Sequence, residues 1–204
     1  MPDRIETILA WLGAGSIDIF GSPFSGKDTQ ANKLAELFNG EVVAGGDIVR
    51  SHDDPEKIKE VMAEGGIIPS DFYLNLVLPY LSRGQYNNKP LILSAVGRSS
   101  GEEPSVIKAA NDSGHPLKAV IYLKLTEDEV WRRFNASQAS HDRGNRADDQ
   151  ADAIKTRLKK FKERTIPVID HYRNSKLLIE VDGSLERDEV TNEIIEGLCR
   201  YIKS

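Results

Sequence analysis

Short apolar runs alternate with amphipathic stretches along most of the chain. Residues 17–20 read Ile-Asp-Ile-Phe and lead at once into a glycine-rich turn and an amphipathic segment over 27–38. Further apolar runs of strand length follow at 41–43, 90–94, 118–125 and 176–181. Near-continuous apolar runs mark strands covered on both faces. With helical stretches between them, they predict an α/β fold built on a five-stranded parallel sheet flanked by helices.

At the amino terminus, Ile5, Ile8, Leu9 and Leu12 recur at i, i+3, i+4 and i+7, one stripe of a short helix. Asp3 and Glu6 interrupt the apolar run that a signal peptide would need, so this helix is expected to pack on the domain. Two stretches stand outside the strand–helix rhythm. Residues 45–83 are mostly helical by pattern, broken by Asp53-Asp54-Pro55 and by Gly65-Gly66-Ile67-Ile68-Pro69, and predict an insert between strands two and three. Residues 136–148 are small and polar and predict a mobile loop. Beyond it Ala151, Ile154, Leu158, Phe161 and Thr165 mark a long amphipathic helix opened by Asp148 and Asp149, with Pro167 expected to kink or end it. The expected core is therefore 1–44, 84–135 and 149–204.

Composition narrows the chemistry. The chain has 204 residues, the size of one large domain, with 39% hydrophobic and 29% charged residues, enough to build and solvate a core. Its 27 Lys plus Arg against 32 Asp plus Glu give a net charge of −5, which argues against nucleic acid as the main partner. The single cysteine, Cys199, excludes an intrachain disulfide and a C-x-x-C zinc site. His52, His115, His141 and His171 are scattered without metal-ligand spacing. No apolar run approaches the ~18 residues of a membrane span. A soluble, cytoplasmic chain with neither membrane nor nucleic-acid partner is expected.

Gly21-Ser22-Pro23-Phe24-Ser25-Gly26-Lys27-Asp28-Thr29 carries the most information. It fits G-x-x-x-x-G-K with a strand before it and a helix after it. Gly21 and Gly26 let successive N–H groups turn toward an anion, and the helix start adds its positive end. The Lys27 ammonium can bridge the outer phosphates of a nucleoside triphosphate. Where other phosphate-loop enzymes place a hydroxyl on Mg²⁺, this chain has Asp28, with Thr29 next.

The chain also resembles the adenylate kinase family of nucleoside monophosphate kinases. The loop is similar to the family's G-x-P-G-x-G-K-G-T-Q, and Ala44-Gly45-Gly46-Asp47-Ile48-Val49-Arg50 resembles S-T-G-D-M-L-R. Gly66-Ile67-Ile68-Pro69 looks like G-x-x-V-P, and Ser94-Ala95-Val96-Gly97-Arg98 takes the place of D-G-F-P-R. Asn145-Arg146-Ala147-Asp148-Asp149 matches G-R-x-D-D, with Arg157 as the following helical arginine, and the run from Thr165 through Pro167 to Tyr172 resembles T-x-P-x-I-x-x-Y. The motifs keep the family's order over nearly the whole chain after residue 16.

The resemblance implies a phosphate-loop nucleoside triphosphate hydrolase fold in which 45–83 binds the monophosphate and 136–148 is a short lid without zinc. It implies reversible transfer of the ATP γ-phosphoryl group, with Mg²⁺, to a nucleoside monophosphate, most simply AMP, by a monomer. Lys27, Arg98, Arg146 and Arg157 would be catalytic. Gly21, Ser25, Gly26, Lys27, Asp28, Thr29 and Arg133 would hold ATP, Arg133 by stacking on its base. Gly45, Asp47, Arg50, Ile68, Arg98 and Glu102 would hold the acceptor.

Four departures from the pattern matter for the chemistry. Ser94 replaces an aspartate that helps hold hydrated Mg²⁺, Asp28 replaces a glycine, Gly45 a threonine that faces the acceptor base, and Glu102 (or Glu103, if the register slips) a glutamine. An ionised glutamate only accepts hydrogen bonds, which suits guanine N1–H and N2–H or cytosine N4–H better than adenine N1. GMP, CMP or UMP therefore stand beside AMP as acceptors. A non-catalytic nucleotide sensor, or a phosphate-loop kinase with a non-nucleotide acceptor, are the readings from other classes. Asp28, helped by Asp47, is expected to reach the metal in place of the carboxylate missing at Ser94. No histidine lies in a matched active-site motif, so direct transfer without a phosphoenzyme is expected.

Overall fold

The computed structural model describes residues 2–51, 68–140 and 150–204. Five strands form one parallel sheet: β1 (Ser16–Gly21), β2 (Glu41–Ala44), β3 (Leu91–Ser94), β4 (Leu117–Lys124) and β5 (Leu178–Asp182), in the order β2-β3-β1-β4-β5. In β1, Ile17 pairs with Ile92 on one side and Ala119 on the other, which makes this the central strand.

Period-two alternation divides the core into two faces. Ile17, Ile19, Ile92 and Ile121 point to one face. There they meet Leu34 and Phe38 of α2 (Lys27–Phe38), Ile194 and Leu198 of α9 (Arg187–Ile202), and Ile8 and Leu12 of α1 (Pro2–Leu12). Ile8 and Leu12 are fully buried and Ile5 and Leu9 partly so, so the amino-terminal stripe is a core stripe.

Leu91, Leu93 and Val43 point to the opposite face. They meet Ile48 and Val49 of α3 (Gly45–Arg50), Tyr73 and Val77 of α4 (Ser70–Val77), and Val106 of α5 (Glu103–Asp112). Phe20 and Val120 cover α8 (Ile166–Asn174) through Val168, Ile169 and Tyr172. Asp18 follows the alternation and lies on this second face, fully buried.

Two local expectations change. Residues 136–140 are the last turn of α6 (Glu127–Ser140) rather than loop. Ala136, Ser137 and Gln138 contain no helix breaker, and Ser137 Oγ donates back to Phe134 O at 2.8 Å, so small polar composition alone does not end a helix here. Residues 141–148 of the expected lid lie outside the described residues. The long helix after 150 leaves α-helical register before Pro167. It runs as α7 (Ala151–Lys160), then a π-helical segment, Phe161–Thr165, then α8 with Pro167 in its first turn. A proline in a first turn lacks only an N–H that has no intrahelical partner, so it starts this helix rather than breaking it. In the range 45–83 the described residues form α3, α4 and one short 3₁₀ turn, Leu78–Ser82, and a second, Gly84–Tyr86, lies just beyond the range. Among the described residues no helix is long and apolar enough to cross a membrane.

All five strands run the same way, so their carboxyl ends share one edge. The chain leaves β1 toward β2 but leaves β3 toward β4. These opposite departures open a crevice above neighbouring strands, where α/β sheets place ligands.

Candidate active site

The loop after β1 turns through Gly26, whose φ of 84° and ψ of 12° fall in the left-handed region that glycine enters without steric cost. α2 starts immediately afterwards and no side chain caps it. Its first N–H groups, with the positive end of its dipole, face a cleft of about 870 Å³ above the carboxyl edge of the sheet.

Gly21, Ser25, Gly26, Lys27, Asp28 and Thr29 line this cleft, with Asp47, Arg50, Arg98, Arg133 and Arg157. Residues far apart in the chain are thus gathered by the ends of β1, β2 and β3 and by α6 and α7. Lys27 Nζ donates to Asp28 Oδ1 at 2.8 Å, and Ser94 Oγ donates to the same oxygen at 2.6 Å. The Asp28 carboxylate therefore stands beside the serine that replaces the family's aspartate. Burial in the cleft lowers the Lys27 ammonium below its ordinary value; Asp28 opposes the shift, and Arg157 and Arg98 add to it. That mutual repulsion shows cations converging on one space, a setting that favours a polyanion.

On the acceptor side, α3 presents Asp47 and Arg50 as an ion pair. Arg98 follows a turn in which Ala95 and Gly97 have φ of 51° and 73°, and its carbonyl accepts from Thr165 Oγ1 at 2.9 Å. The π-helical segment thus brings Thr165 onto the Arg98 turn. Arg133 spends its N–H groups on Glu129 Oε1 (2.8 Å), Phe24 O (3.2 Å) and Gly183 O (2.8 Å). It ties the phosphate loop to the turn after β5 while its side chain lines the cleft.

Three expected acceptor residues are not in the cleft wall. Ile68 is buried against Tyr73 and Val77 in the second core. Gly45 is buried beneath the Tyr73 phenol. Glu102 is 2% exposed, with Oε1 accepting from Ser70 Oγ at 2.5 Å and Oε2 from Ser99 N–H at 3.0 Å. Both of its carboxylate oxygens thus accept from groups inside the protein. Arg146 and its motif lie outside the described residues.

Other cleft residues escaped the sequence reading. Residues 183–187 border it after β5; the Asp182-Gly183-Ser184 turn at a strand's carboxyl end was the available signal. Phe24 lines it too, at φ 63° where the loop pattern has a glycine, with its ring edge-on to Phe134 at 5.8 Å. Asp18 was also missed. Its Oδ1 accepts from Val96 N–H at 3.4 Å, Oδ2 has no partner among the described residues, and burial pushes its carboxyl up to about 8.

Among known proteins, residues 19–177 match the family profile described as "Adenylate kinase". A protein named adenylate kinase from Xylella fastidiosa is 31% identical over 185 residues, covering 88% of this chain and 97% of that protein. One of the same name from Parvibaculum lavamentivorans is 30% identical over 86% of this chain and 88% of its own length. A third, from Dehalococcoides mccartyi, is 28% identical over 90% of this chain and 97% of its own.

Proposed function

Because the chain belongs to the adenylate kinase family and is a nucleoside monophosphate kinase, we propose that its acceptor is AMP and its donor ATP, with reversible transfer of the γ-phosphoryl group. The observation that carries this reading is the convergence of Lys27, Arg50, Arg98 and Arg157 on one cleft at the phosphate loop.

The donor triphosphate lies along the loop N–H groups and the start of α2, with Lys27 on its outer phosphates. The acceptor phosphate lies between Arg50 and Arg98, and Arg50 exchanges its Asp47 partner for that anion. Arg98 and Arg157 flank the transferring group and stabilise charge on its oxygens, where preorganised cations contribute most. A monophosphate, with a second pKa near 6, already offers an anionic oxygen at neutral pH, so the site needs no general base. Arg133 stays with the donor side, and Arg146, by its motif, closes on the phosphates. Residues 45–83 form the acceptor-binding insert and 136–148 the lid that excludes water.

The residues present suit Mg²⁺, a hard cation that takes one or two carboxylates together with substrate phosphates. Asp28, beside Ser94, would hold it, with Asp47 as the second carboxylate. Bound Mg²⁺ supplies neutralising charge for the β- and γ-oxygens. Asp28→Gly should raise the Mg²⁺ concentration needed for turnover and weaken Mg²⁺–ADP binding by calorimetry. Adding Ser94→Asp should restore both. Unchanged Mg²⁺ binding in Asp28→Gly would remove the metal role.

The deciding assay is ADP formation from ATP with AMP, GMP, CMP or UMP. AMP should give the highest kcat/KM, and binding without turnover of any of the four would favour a sensor instead. Arg98→Ala should impair acceptor use and Arg157→Ala turnover, each by about 10²–10³-fold. Near-parental rates in both variants would show that these arginines are misassigned.

A further inference from the structure

We infer that Tyr73 is a positioning residue for the acceptor, its phenol oxygen pinning the turn that presents Arg98 to the helix that presents Arg50. The inference rests on the kinase reading above and extends it to a residue outside the cleft lining.

Tyr73 comes from α4 and is 5% exposed, so its hydroxyl must find partners inside the protein. Oη donates to Ala95 O at 3.3 Å. Burial pushes the phenol well above its ordinary range, so it remains a neutral donor at any working pH. The turn it holds is not one the chain would keep unaided. Ala95, with φ of 51°, occupies the left-handed region that non-glycine residues enter only where surroundings hold them there, and Arg98 follows three residues later. Asp18 from the sheet, Thr165 from the π-helical segment and Glu102 hold the same turn at Val96 N–H, Arg98 O and Ser99 N–H. Tyr73 also meets α3.

That second contact is the informative one. A β-carbon at Gly45 would lie 2.1 Å from Tyr73 Oη and 3.1 Å from Cζ. Gly45 opens α3, which carries Asp47 and Arg50. One oxygen therefore touches the base of both arginine-bearing pieces and sets how far apart they stand. Gly45 and Tyr73 are a matched pair: the hydroxyl sits where any side chain at 45 would go. Where the family pattern has a threonine at 45, this chain carries a hydroxyl in from α4.

The test is a double-mutant cycle with ATP and AMP varied independently. Tyr73→Phe leaves Ala95 O without its hydroxyl donor, and should raise the AMP KM about 5- to 20-fold while the ATP KM stays within about twofold. Gly45→Ala should raise the AMP KM in the parental protein but much less in the Tyr73→Phe background, where the oxygen it meets is gone. An unchanged AMP KM in Tyr73→Phe, or an ATP KM that rises in step, would overturn the positioning role; additive effects would overturn the pairing. If the parental protein turns over none of the four monophosphates, the kinase reading falls. The pin is then read by AMP binding in calorimetry, where equal affinity of parental protein and Tyr73→Phe overturns it and weaker affinity of the variant supports it.

Discussion

Two aspartates near the phosphate loop show how environment decides what a carboxyl can do. Asp28 borders the cleft, its Oδ1 accepting from both Lys27 Nζ and Ser94 Oγ. Asp18 lies beneath the Arg98 turn, with Lys27, Tyr73 and Tyr172 as its titratable neighbours, and burial outweighs its backbone hydrogen bonds to hold the carboxyl near 8. Its folded value exceeds the ordinary 3.8, so the folded state binds the proton more tightly. The stability this group contributes is present below the ordinary value and erodes as pH rises toward 8. Asp18→Asn removes that erosion. The stability of the variant relative to the parental protein should grow by about 1 kcal/mol per pH unit between 5 and 8, then level off. Denaturant unfolding at five pH values checks this; a difference independent of pH would mean that Asp18 titrates normally.

At the scale of elements, the site depends on how helices begin and on what holds them together. Gly26→Ala forces a β-carbon into the left-handed region at the start of α2, which should destabilise the protein by about 1–2 kcal/mol and raise the ATP KM. Thermal unfolding and steady-state kinetics read both effects. Glu102 joins the start of α4, through Ser70, to the Arg98 turn, through Ser99. Glu102→Gln should therefore leave the ratio of AMP to GMP use unchanged and lower stability by about 1–2 kcal/mol. A shift of that ratio toward AMP would restore the sequence-based expectation that residue 102 reads the base. The sequence presented a glutamate in a family glutamine's place, which fits base reading as well as burial; its partner Ser70 lies far away in the chain. The π-helical segment was equally hidden, since its residues continue the amphipathic pattern of α7.

At the scale of the molecule, binding and folding are linked. ATP with Mg²⁺ at about 100 times its Kd should stabilise the protein by about 2.7 kcal/mol, seen as a rise in Tm, and Lys27→Ala should abolish most of that rise. Leu12→Ala, which opens the core beneath α1, should cost about 2–5 kcal/mol in denaturant unfolding without changing the KM for either nucleotide. The sequence by itself determined the five strands, the phosphate loop and the amino-terminal helix. Apolar periodicity and the spacing of Gly21, Gly26 and Lys27 are local properties, written in consecutive residues. It also placed Arg50, Arg98 and Arg157 in order along the chain, without their positions in space. Only the tertiary structure decided that Ser94 meets Asp28, that Glu102 turns inward to Ser70 and Ser99, and that Tyr73 stands over Gly45. The Ser94–Asp28, Glu102–Ser70 and Tyr73–Gly45 contacts each join segments far apart in the chain, and the packing of one element on another, which no local pattern encodes, sets their geometry.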